Sequence, residues 1–521
     1  MTPREWDYIV VGGGTAGCIV ASRLAETAGT RVLLLEAGGP YPPLRLSVPL
    51  PSLREITRYS WKYFTCQQPA LGYRKISWPL GRVLGGGSSI NAMMYCRGSR
   101  ACYDRWAELG NPGWSYDDLL PYFKRSERHA RGPSSYHGGD GPIWVSAPSH
   151  VAPFSAAFIE ACLEAGIPRN EDFNGPFVDG AGLFDVTQRR GRRVAATACL
   201  NGAARGLSIL TGAVVTRLLF SARRANGVEY LRSSDRSVAY CGGEIILCAG
   251  AVNTPQILAL SGIGPAQELR AHGIPPRLDL AGVGRNLQDH LRIPVLYESG
   301  RPSPGQMRYW LPAAIAYAVA GRGVMASNCC EAGAYVRSEE GAPVPDIQFV
   351  THFQSALYPG TVDLQFCLME LASRGSVRLR SADPHQAPVI DPCYLMDPQD
   401  LRRGLAGLRL ARRLAATAAL RRFPLGREIL PGADVDSEEE LSRYLRASAE
   451  TCYHPMGTCK MGTGEEAVVD PELRVYGVEG LRVADASIFP DNINGNAMAP
   501  TQAVAEKAAD LIRGRLPERL K

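Results

Sequence analysis

No long hydrophobic run interrupts this sequence of 521 residues, of which 45% are hydrophobic and 21% are charged. The most apolar stretch, Leu311–Ala320, has about half the length that an α-helix needs to cross a bilayer. No secretory signal precedes the first strand pattern, which begins at Tyr8. We therefore predict a protein without a membrane span and expect it in the cytoplasm.

A concentrated basic tract is also missing. Lys and Arg total 57 against 51 Asp and Glu, which gives a net charge of +6. The basic residues are instead scattered in pairs, such as Arg189-Arg190, Arg192-Arg193 and Arg402-Arg403. Binding along a nucleic-acid backbone requires a stripe of positive charge. We interpret the pairs as solvated surface residues and predict no nucleic-acid partner.

The fourteen cysteines lack the paired spacing of a zinc site. Cys329 and Cys330 are adjacent, Cys452 and Cys459 are seven positions apart, and the others are scattered. This distribution is typical of free, buried thiols in a reducing compartment. We therefore predict neither disulfides nor a metal site.

A glycine-rich turn near the N-terminus carries the clearest motif. Tyr8–Val11 predicts a buried strand, and Cys18–Leu24 has the apolar spacing of a helix. Between them lies the dinucleotide-binding pattern Gly12-x-Gly14-x-x-Gly17. Gly12 allows the tight turn, Gly14 lets the backbone approach a pyrophosphate, and Gly17 lets helix and strand pack closely. The helix N-terminus then offers free amides and a positive dipole end to the phosphates.

A second strand and an acid complete this unit. Arg31–Leu35 predicts a strand, and Glu36 follows it, nineteen residues after Gly17, where an acid accepts hydrogen bonds from the adenosine ribose. The next glycine cluster, Arg82–Met93, combines consecutive glycines with hydroxyls and a side-chain amide. Such a loop lies close against a second segment of the ligand, which favours FAD over NAD.

These segments together resemble the glucose–methanol–choline (GMC) oxidoreductase family, and the likeness continues along nearly the whole chain. Further segments occur in the order that the family has. They are Cys248–Leu258 with Ser261–Gly264, Gly284–His290, His454–Gly462, Leu481–Ser487 and the helix from Pro500 through Lys507. The resemblance implies an FAD-dependent oxidoreductase that acts on an alcohol.

The resemblance also implies an α/β fold, in which an α+β substrate-binding domain is inserted into a Rossmann-type FAD-binding domain. A length of 521 residues favours two or three domains. The motifs assign residues 1–155, 200–295 and 450–521 to the FAD-binding domain, and 156–199 and 296–449 to the substrate-binding domain. In the family, a sheet of the inserted domain roofs the flavin. We predict that Ser376–Leu379 belongs to that sheet and that Leu401–Ala419 is an amphipathic helix.

Positions that match the family's motifs are expected to bind FAD. Some members link FAD covalently to a histidine in the glycine-rich loop, but Ile90 occupies that position here, so we predict dissociable FAD. The expected FAD-binding residues run from the ADP end to the flavin end. They are Gly12, Gly14, Thr15, Ala16, Gly17, Glu36, Ala37, Arg82, Gly85, Ser89, Asn91, Ala92, Met93, Met94, Val215, Ala249, Gly250, Asp485, Ala486, Pro500 and Thr501.

Alcohol oxidation requires a base that removes the hydroxyl proton while a hydride moves from carbon to the flavin. His454 is the candidate, because the resemblance places its segment facing the flavin. The substrate is then a small alcohol, and oxygen or another acceptor reoxidises the flavin. His290, in the Gln288-Asp289-His290 motif, is expected to have a packing or hydrogen-bonding role.

The second catalytic position departs from the family pattern. Members usually carry His or Asn there, whereas an ungapped reading puts Met498 at this position, and a thioether is at best a weak acceptor. Asn496 takes over if the loop is locally shifted, with Asn492 and Asn494 as remoter alternatives. Otherwise His454 works alone, and Met498 forms an apolar wall. The sequence leaves these alternatives open.

This departure keeps other functions under consideration. A lyase that retains FAD as a structural element is the alternative function, because a few relatives with this fold cleave cyanohydrins. A light-driven decarboxylase ranks lower, since that subgroup lacks the catalytic histidine, and a non-catalytic flavin-binding module ranks last. The apolar residues around Met498 and in Leu311–Ala320 favour a nonpolar or aromatic alcohol as substrate.

Overall fold

A computed structural model describes residues 5–49, 53–202, 205–233, 235–299, 307–352 and 360–515 of the protein. Its strands are grouped into two large sheets and several short ribbons. In chain order the strands are β1 Glu5–Val11, β2 Val32–Glu36, β3 Ser60–Phe64, β4 Ser77–Gly81, β5 Glu127–His129, β6 Ile143–Val145, β7 Gly180–Leu183, β8 Gln188–Arg189, β9 Arg192–Arg193, β10 Leu207–Thr211, β11 Ala213–Ser221, β12 Arg224–Arg232, β13 Asp235–Leu247, β14 Ile263–Gly264, β15 Leu278–Asp279, β16 Leu291–Ile293, β17 Leu296–Ser299, β18 Ala332–Val336, β19 Ile347–Val350, β20 Thr361–Asp363, β21 Phe366–Leu368, β22 Ser376–Arg378, β23 Val389–Asp391, β24 Leu425–Leu430, β25 Glu450–Thr451 and β26 Leu481–Val483.

Helices lie between and around these sheets. In the described part of the chain, none of them is long and apolar enough to cross a bilayer. In chain order the helices are α1 Thr15–Ala25, α2 Pro43–Leu46, α3 Leu53–Arg58, α4 Arg100–Glu108, α5 Tyr116–Ser126, α6 Pro153–Glu164, α7 Gly250–Leu260, α8 Ala266–Ala271, α9 Met307–Ala320, α10 Pro398–Ala415, α11 Ala418–Arg422, α12 Glu438–Ser448 and α13 Met498–Arg513.

The N-terminal sheet has the predicted Rossmann-type arrangement. Strands β10, β2, β1 and β13 are parallel neighbours, and β26 pairs in parallel with β13. The predicted strands at Tyr8–Val11 and Arg31–Leu35 are confirmed as β1 and β2. All residues of β2 are buried, as expected for a parallel strand that is covered on both faces. Because the carboxyl ends of β1 and β2 meet at one edge, the turn at Gly12 lies beside Glu36.

The second large sheet is antiparallel, with the strand order β25-β16-β21-β19-β18-β7. Helix α6 packs against β18 and β7, and α10 packs against β21. The predicted helix Leu401–Ala419 is confirmed as α10, although α10 ends at Ala415 and a separate α11 follows. His290 directly precedes β16, and His454 follows β25 by three residues. The pairing of these two edge strands therefore brings the two histidines together.

The prediction that Ser376–Leu379 belongs to the roofing sheet is wrong. Ser376–Arg378 does form a strand, β22, but among the described residues it pairs only with β23, in a separate two-stranded ribbon. A hydrophobic pattern identifies a strand without identifying its partner, because pairing is decided by distant parts of the chain. The neighbouring Gly375 pairs with Leu287 instead, so this segment supports the loop that precedes His290.

Each large sheet has its own hydrophobic core. One core includes β1, β2 and much of α13, and the other includes β16, β19, β21 and α10. The predicted thiols are free, and most of them are buried. The division of the chain into two domains stays a prediction, and the separate cores support it.

Candidate active site

The turn after β1 uses glycine for two different steric reasons. Gly12 has a φ of +100°, and a Cβ atom there would lie 2.5 Å from the carbonyl oxygen of Cys248. A Cβ atom on Gly17 would lie 1.8 Å from the carbonyl oxygen of Gly12. Neither position therefore accepts a side chain. These are the two roles that the motif predicts for Gly12 and Gly17, namely the turn and the close packing of helix on strand.

Gly14 and the start of α1 leave open space. A Cβ atom on Gly14 would approach no other atom closer than 4.0 Å, so its backbone faces the cavity without obstruction. No side chain caps the N-terminus of α1, so the first amides of this helix face the cavity without a side-chain acceptor. Gly250, at the start of α7, also has no atom within 4 Å of an ideal Cβ. A phosphate-bearing dinucleotide fits such a cradle.

Glu36 closes one end of this cradle. Its Oε2 accepts the N–H of Gly13 at 2.8 Å, and its Oε1 accepts the N–H of Gly38 at 2.6 Å. Burial raises the pKa of Glu36, and these two backbone donors partly offset that shift. The carboxylate is thereby fixed at the end of β2, with lone pairs remaining for a ribose hydroxyl.

A cavity of about 450 Å³ runs from this turn to His454. Many of the expected FAD-binding residues line it, and they come from several separated parts of the chain. These lining residues are Gly12, Gly14, Thr15, Ala16, Glu36, Ala37, Arg82, Val215, Ala249, Gly250, Asp485, Ala486 and Thr501. The chain also lines the cavity with residues that the sequence interpretation did not select, among them Trp61, Tyr63, Asn253 and Tyr453.

The other expected FAD-binding residues are not among those that line this cavity. They are Gly17, Gly85, Ser89, Asn91, Ala92, Met93, Met94 and Pro500. Gly85 donates its N–H to the carbonyl oxygen of Gly13 at 2.7 Å, and Ser89 donates its hydroxyl to Leu84. These bonds hold the glycine-rich cluster against the first turn.

The prediction that Arg193 is a solvated surface residue is wrong. Arg193 is 5% exposed. Its guanidinium donates to the carbonyl oxygen and to the side-chain Oδ1 of Asn91, at 2.7 and 2.8 Å. Asn91 in turn directs its amide towards the sulfur of Met498, at 3.2 Å. A buried arginine in this place holds the glycine-rich cluster through its carbonyl groups.

Asp289 anchors the backbone of the proposed base. Its Oδ1 accepts the backbone N–H of His454 at 2.7 Å. Its Oδ2 accepts the hydroxyls of Tyr394 at 2.5 Å and Thr451 at 2.6 Å. Burial raises the pKa of Asp289 to about 6, although these donors oppose the shift. At neutral pH the carboxylate is ionised and fixes the loop that carries His454.

His290 and His454 form a directed pair. His290 Nε2 lies 2.8 Å from the carbonyl oxygen of Ile493, which only accepts, so this nitrogen carries the proton. His290 Nδ1 is then an acceptor, and it lies 2.9 Å from His454 Nδ1. His454 therefore carries its proton on Nδ1 and leaves Nε2 bare. The hydrogen-bonding role expected of His290 thus consists of setting the tautomer of His454.

Both imidazoles are neutral near pH 7. Burial lowers the pKa of His290 to about 4. Burial, and then the neighbouring His290, hold the pKa of His454 well below the ordinary value for histidine. His454 Nε2 is therefore an unprotonated nitrogen beside the cavity, which is the state a general base needs.

Asn496 extends this chain of hydrogen bonds on the other side of His454. Its Nδ2 lies 3.4 Å from His454 Nε2, and its Oδ1 lies 3.4 Å from Nε2 of Gln348. Gln348 also directs Nε2 to the hydroxyl of Tyr335 at 2.6 Å. The backbone N–H of Asn496 donates to Cys96. Asn496 is thus the asparagine whose amide faces the base, whereas Met498 begins α13 and contacts Asn91.

Sequence reasoning missed several of these residues for different reasons. Asp289 belongs to the Gln288-Asp289-His290 motif, and its position beside His290 was the feature of the sequence that could have identified it. Gln348 and Arg193 carry no motif, because their roles arise only when β19 and β9 fold against distant loops. The remoter candidates Asn492 and Asn494 are buried, and Asn494 binds the backbone of Ser99 and Pro345.

A second cluster of buried histidines, away from this cavity, is held by ion pairs. Ligand atoms of Glu127, His129 and His137 lie within 4.8 Å of one another in the described part of the chain. Arg97 already pairs with Glu127 at 2.8 Å, and His137 bridges Glu127 and Asp172. Hydrogen bonds and charge from these carboxylates, set against burial, raise the pKa of His137 to about 9. A protonated histidine does not bind a metal.

Comparisons with known proteins identify the family of this chain. The family described as GMC oxidoreductase matches residues 6–292 with its N-terminal model and 372–505 with its C-terminal model. An oxygen-dependent choline dehydrogenase of Burkholderia multivorans is 42% identical, over 99% of this chain and 95% of the relative. The crystal structure of pyridoxine 4-oxidase from Mesorbium loti has a TM-score of 0.88 at 33% identity, with 97% and 98% coverage. A fungal aryl-alcohol oxidase has a TM-score of 0.89 at 27% identity, with 98% of each chain covered.

Proposed function

The chain belongs to the GMC oxidoreductase family, so it is an FAD-dependent enzyme that oxidises an alcohol, and we propose that His454 removes the hydroxyl proton. The observation that carries this proposal is the pair of contacts of His290, with Ile493 and with His454, from which it follows that His454 Nε2 carries no proton. The named relatives are oxidoreductases, and none of them supports the alternative of an FAD-containing lyase.

FAD, when bound, supplies the acceptor for the hydride that leaves the carbinol carbon. The residues of this chain accept and hold the proton. His454 Nε2 takes it from the hydroxyl, and His454 becomes an imidazolium. His290 Nδ1 continues to accept the Nδ1–H of His454, and this bond strengthens once its donor is charged. Asp289 keeps the loop in position through the backbone N–H of His454.

Asn496 is the proposed second polar residue at the reacting centre. Its Nδ2 faces His454 Nε2 while that nitrogen is bare. Once Nε2 carries a proton, it no longer accepts, and the same N–H group of Asn496 is available to the oxygen of the substrate. Gln348 orients the amide by donating to its Oδ1. Met498 is proposed to form an apolar wall, and it contacts Asn91 of the glycine-rich cluster.

Asn496 and Met498 are therefore expected to respond differently to substitution. Asn496→Ala removes a donor that acts on developing negative charge, and such hydrogen bonds are worth roughly 1.5–3 kcal/mol. We expect kcat/KM to fall about 10- to 100-fold. Met498→Leu keeps the volume and loses only a weak acceptor, so the expected change is less than about threefold. Steady-state kinetics with one alcohol measures both.

The bound flavin of each variant provides the control, since both proteins should keep the flavin absorbance of the parent. Asn496→Asp retains the size of the side chain but loses the N–H donors and adds a negative charge at neutral pH, so it should lose at least as much activity as the alanine variant. Equal losses in Asn496→Ala and Met498→Leu would contradict the assignment.

We propose an uncharged alcohol as the substrate, although choline dehydrogenases are among the relatives. Both carboxylates that line the cavity, Glu36 and Asp485, are occupied by donors from the chain. The guanidinium of Arg82 lies 4.3 Å from the ring centroid of Trp61, which removes one aromatic face for a quaternary ammonium. Arg292, two residues after His290, is paired with Glu450, so this acid is also occupied by a donor from the chain.

Discrimination between neutral and cationic alcohols tests this substrate class. A quaternary ammonium placed in a cavity whose carboxylates are already occupied is disfavoured by at least about 1.4 kcal/mol, so benzyl alcohol should exceed choline at least tenfold in kcat/KM. A higher kcat/KM for choline would overturn the proposal and leave alcohol oxidation itself untouched.

Several finer assignments complete the proposal. The FAD is proposed to be dissociable, because Ile90 offers no nucleophile, and oxygen is proposed as the electron acceptor, as the names of the relatives suggest. The free thiols support a cytoplasmic location. The FAD-binding role of the predicted residues, Gly12 through Thr501, is supported by the cavity that most of them line or shape.

A further inference from the structure

Helix α9 has an almost entirely apolar sequence. In Met307–Ala320 the only charged residue is Arg308, and the rest is dominated by alanine, aromatic and branched side chains. A helix of this composition is expected in the interior of a protein or in contact with a lipid phase. In this structure it lies at the surface.

Only part of α9 is covered by the protein. Tyr317 is buried, at 9% exposure, and its neighbours on the opposite side face solvent. Ile315 is 57% exposed and Val319 is 83% exposed, the highest value among the exposed large hydrophobic residues. The further exposed residues on this helix are Pro312, Ala316, Ala318 and Ala320.

A basic hairpin lies beside the C-terminal end of the helix. Strands β8 and β9 form this hairpin, and a Cβ atom on its Gly191 would lie 2.0 Å from the carbonyl oxygen of Gly321. Arg189, Arg190 and Arg192 on the hairpin are exposed, and so is Arg322 after the helix. Within the described residues, none of these four arginines has a carboxylate partner in an ion pair.

Acidic residues are missing from both segments. The sequence has no Asp or Glu between residues 186 and 228, or between residues 299 and 330. The chain otherwise carries 51 acids in 521 residues. The exposed apolar helix is therefore bordered by positive charge that its own segments do not neutralise.

We propose that this surface docks peripherally on an anionic lipid membrane. The docking face consists of Ile315 and Val319 together with Arg190, Arg192 and Arg322. Apolar side chains that enter the headgroup region, bordered by arginines that attract acidic lipids, are the combination that holds a helix in a membrane interface. The proposal is independent of the reaction proposed above.

The hairpin that carries part of this face also contacts the glycine-rich cluster. Arg193 of the same hairpin binds Asn91, which contacts Met498. Two side-chain contacts thus connect the hairpin with the start of α13. Alcohols that partition into membranes would reach the enzyme at a raised local concentration.

Vesicle co-sedimentation of the FAD-loaded protein tests the proposal. Vesicles of phosphatidylcholine alone are compared with vesicles that contain phosphatidylglycerol, at low and at physiological salt. We expect binding only to the anionic vesicles, with a loss as salt increases. Each arginine near such a surface contributes about fivefold in partition coefficient. The triple substitution Arg190→Gln, Arg192→Gln and Arg322→Gln should therefore lower binding roughly a hundredfold.

The variants separate the two components of the face. Ile315→Asp with Val319→Asp should abolish binding, whereas Val238→Asp with Arg232→Gln, on the hairpin between β12 and β13, is the matched control and should bind as the parent does. All variants should keep their flavin absorbance and their alcohol turnover in solution. Binding to neutral vesicles alone, no binding at all, or a stable dimer through this face in sedimentation velocity would overturn the proposal.

Discussion

Replacing His454 by alanine is expected to lower kcat about a thousandfold, because a positioned general base contributes a factor of roughly 10²–10⁴. The structure leaves His454 Nε2 without a proton and beside the cavity, so this nitrogen is the base that the variant loses. The alanine variant should still bind FAD, since the turn at Gly12 and the acid Glu36 are distant in the chain and make no bond to His454. Steady-state turnover per bound flavin measures the effect.

His272→Ala serves as the matched control, because it removes an imidazole at the end of α8, away from the cavity. Its turnover should stay within about twofold of the parent, as expected for a surface substitution. A His454→Ala enzyme that keeps more than a tenth of the parent turnover would show that the proton leaves by another route.

The second large effect is expected at the dinucleotide cradle. Gly14→Ala should weaken FAD binding on the order of a hundredfold, because an inserted methyl group in a tight contact costs roughly 2–3 kcal/mol. The protein itself has room for this atom, since nothing lies within 4.0 Å of it, and no positive φ opposes it. Folding should therefore survive while the close approach of a pyrophosphate is blocked.

Gly39→Ala is the control for this experiment. Its ideal Cβ also meets nothing within 4 Å, and Gly39 does not line the cavity. The ratio of flavin to protein after purification, and the Kd of the apoprotein for added FAD, compare the two variants. Thermal unfolding of both apoproteins checks that the fold is retained. A fully loaded Gly14→Ala protein would mean that the cofactor does not approach this turn.

The local parts of the fold were accessible from the sequence. The turn at Gly12, Gly14 and Gly17 is determined by steric contacts of a few neighbouring residues. The burial of β2 is predicted by its unbroken run of apolar residues. The candidate base His454 was found through its segment's resemblance to a family, since its neighbours alone describe an ordinary loop. In each of these predictions, the sequence pattern and the structure that it predicts lie in the same stretch of chain.

The non-local parts were not accessible. Whether Asn496 or Met498 faces the base depends on Gln348, which lies about 150 residues earlier and carries no motif. In the sequence, Arg193 looks like one member of an exposed pair of arginines. Its burial results from the packing of β9 behind Asn91. The partner of β22 is likewise chosen by tertiary packing, which outweighs strand propensity.

The most direct measurement is the rate of flavin reduction by benzyl alcohol under anaerobic conditions in a stopped-flow instrument. This isolates proton and hydride removal from reoxidation and product release. The account predicts that the parent enzyme loses its oxidised-flavin absorbance in a single turnover, and that His454→Ala does so about a thousandfold more slowly. Equal rates in the two proteins would contradict the assignment of His454 as the base. A flavin that no alcohol, neutral or cationic, reduces in the parent enzyme would contradict the account as a whole.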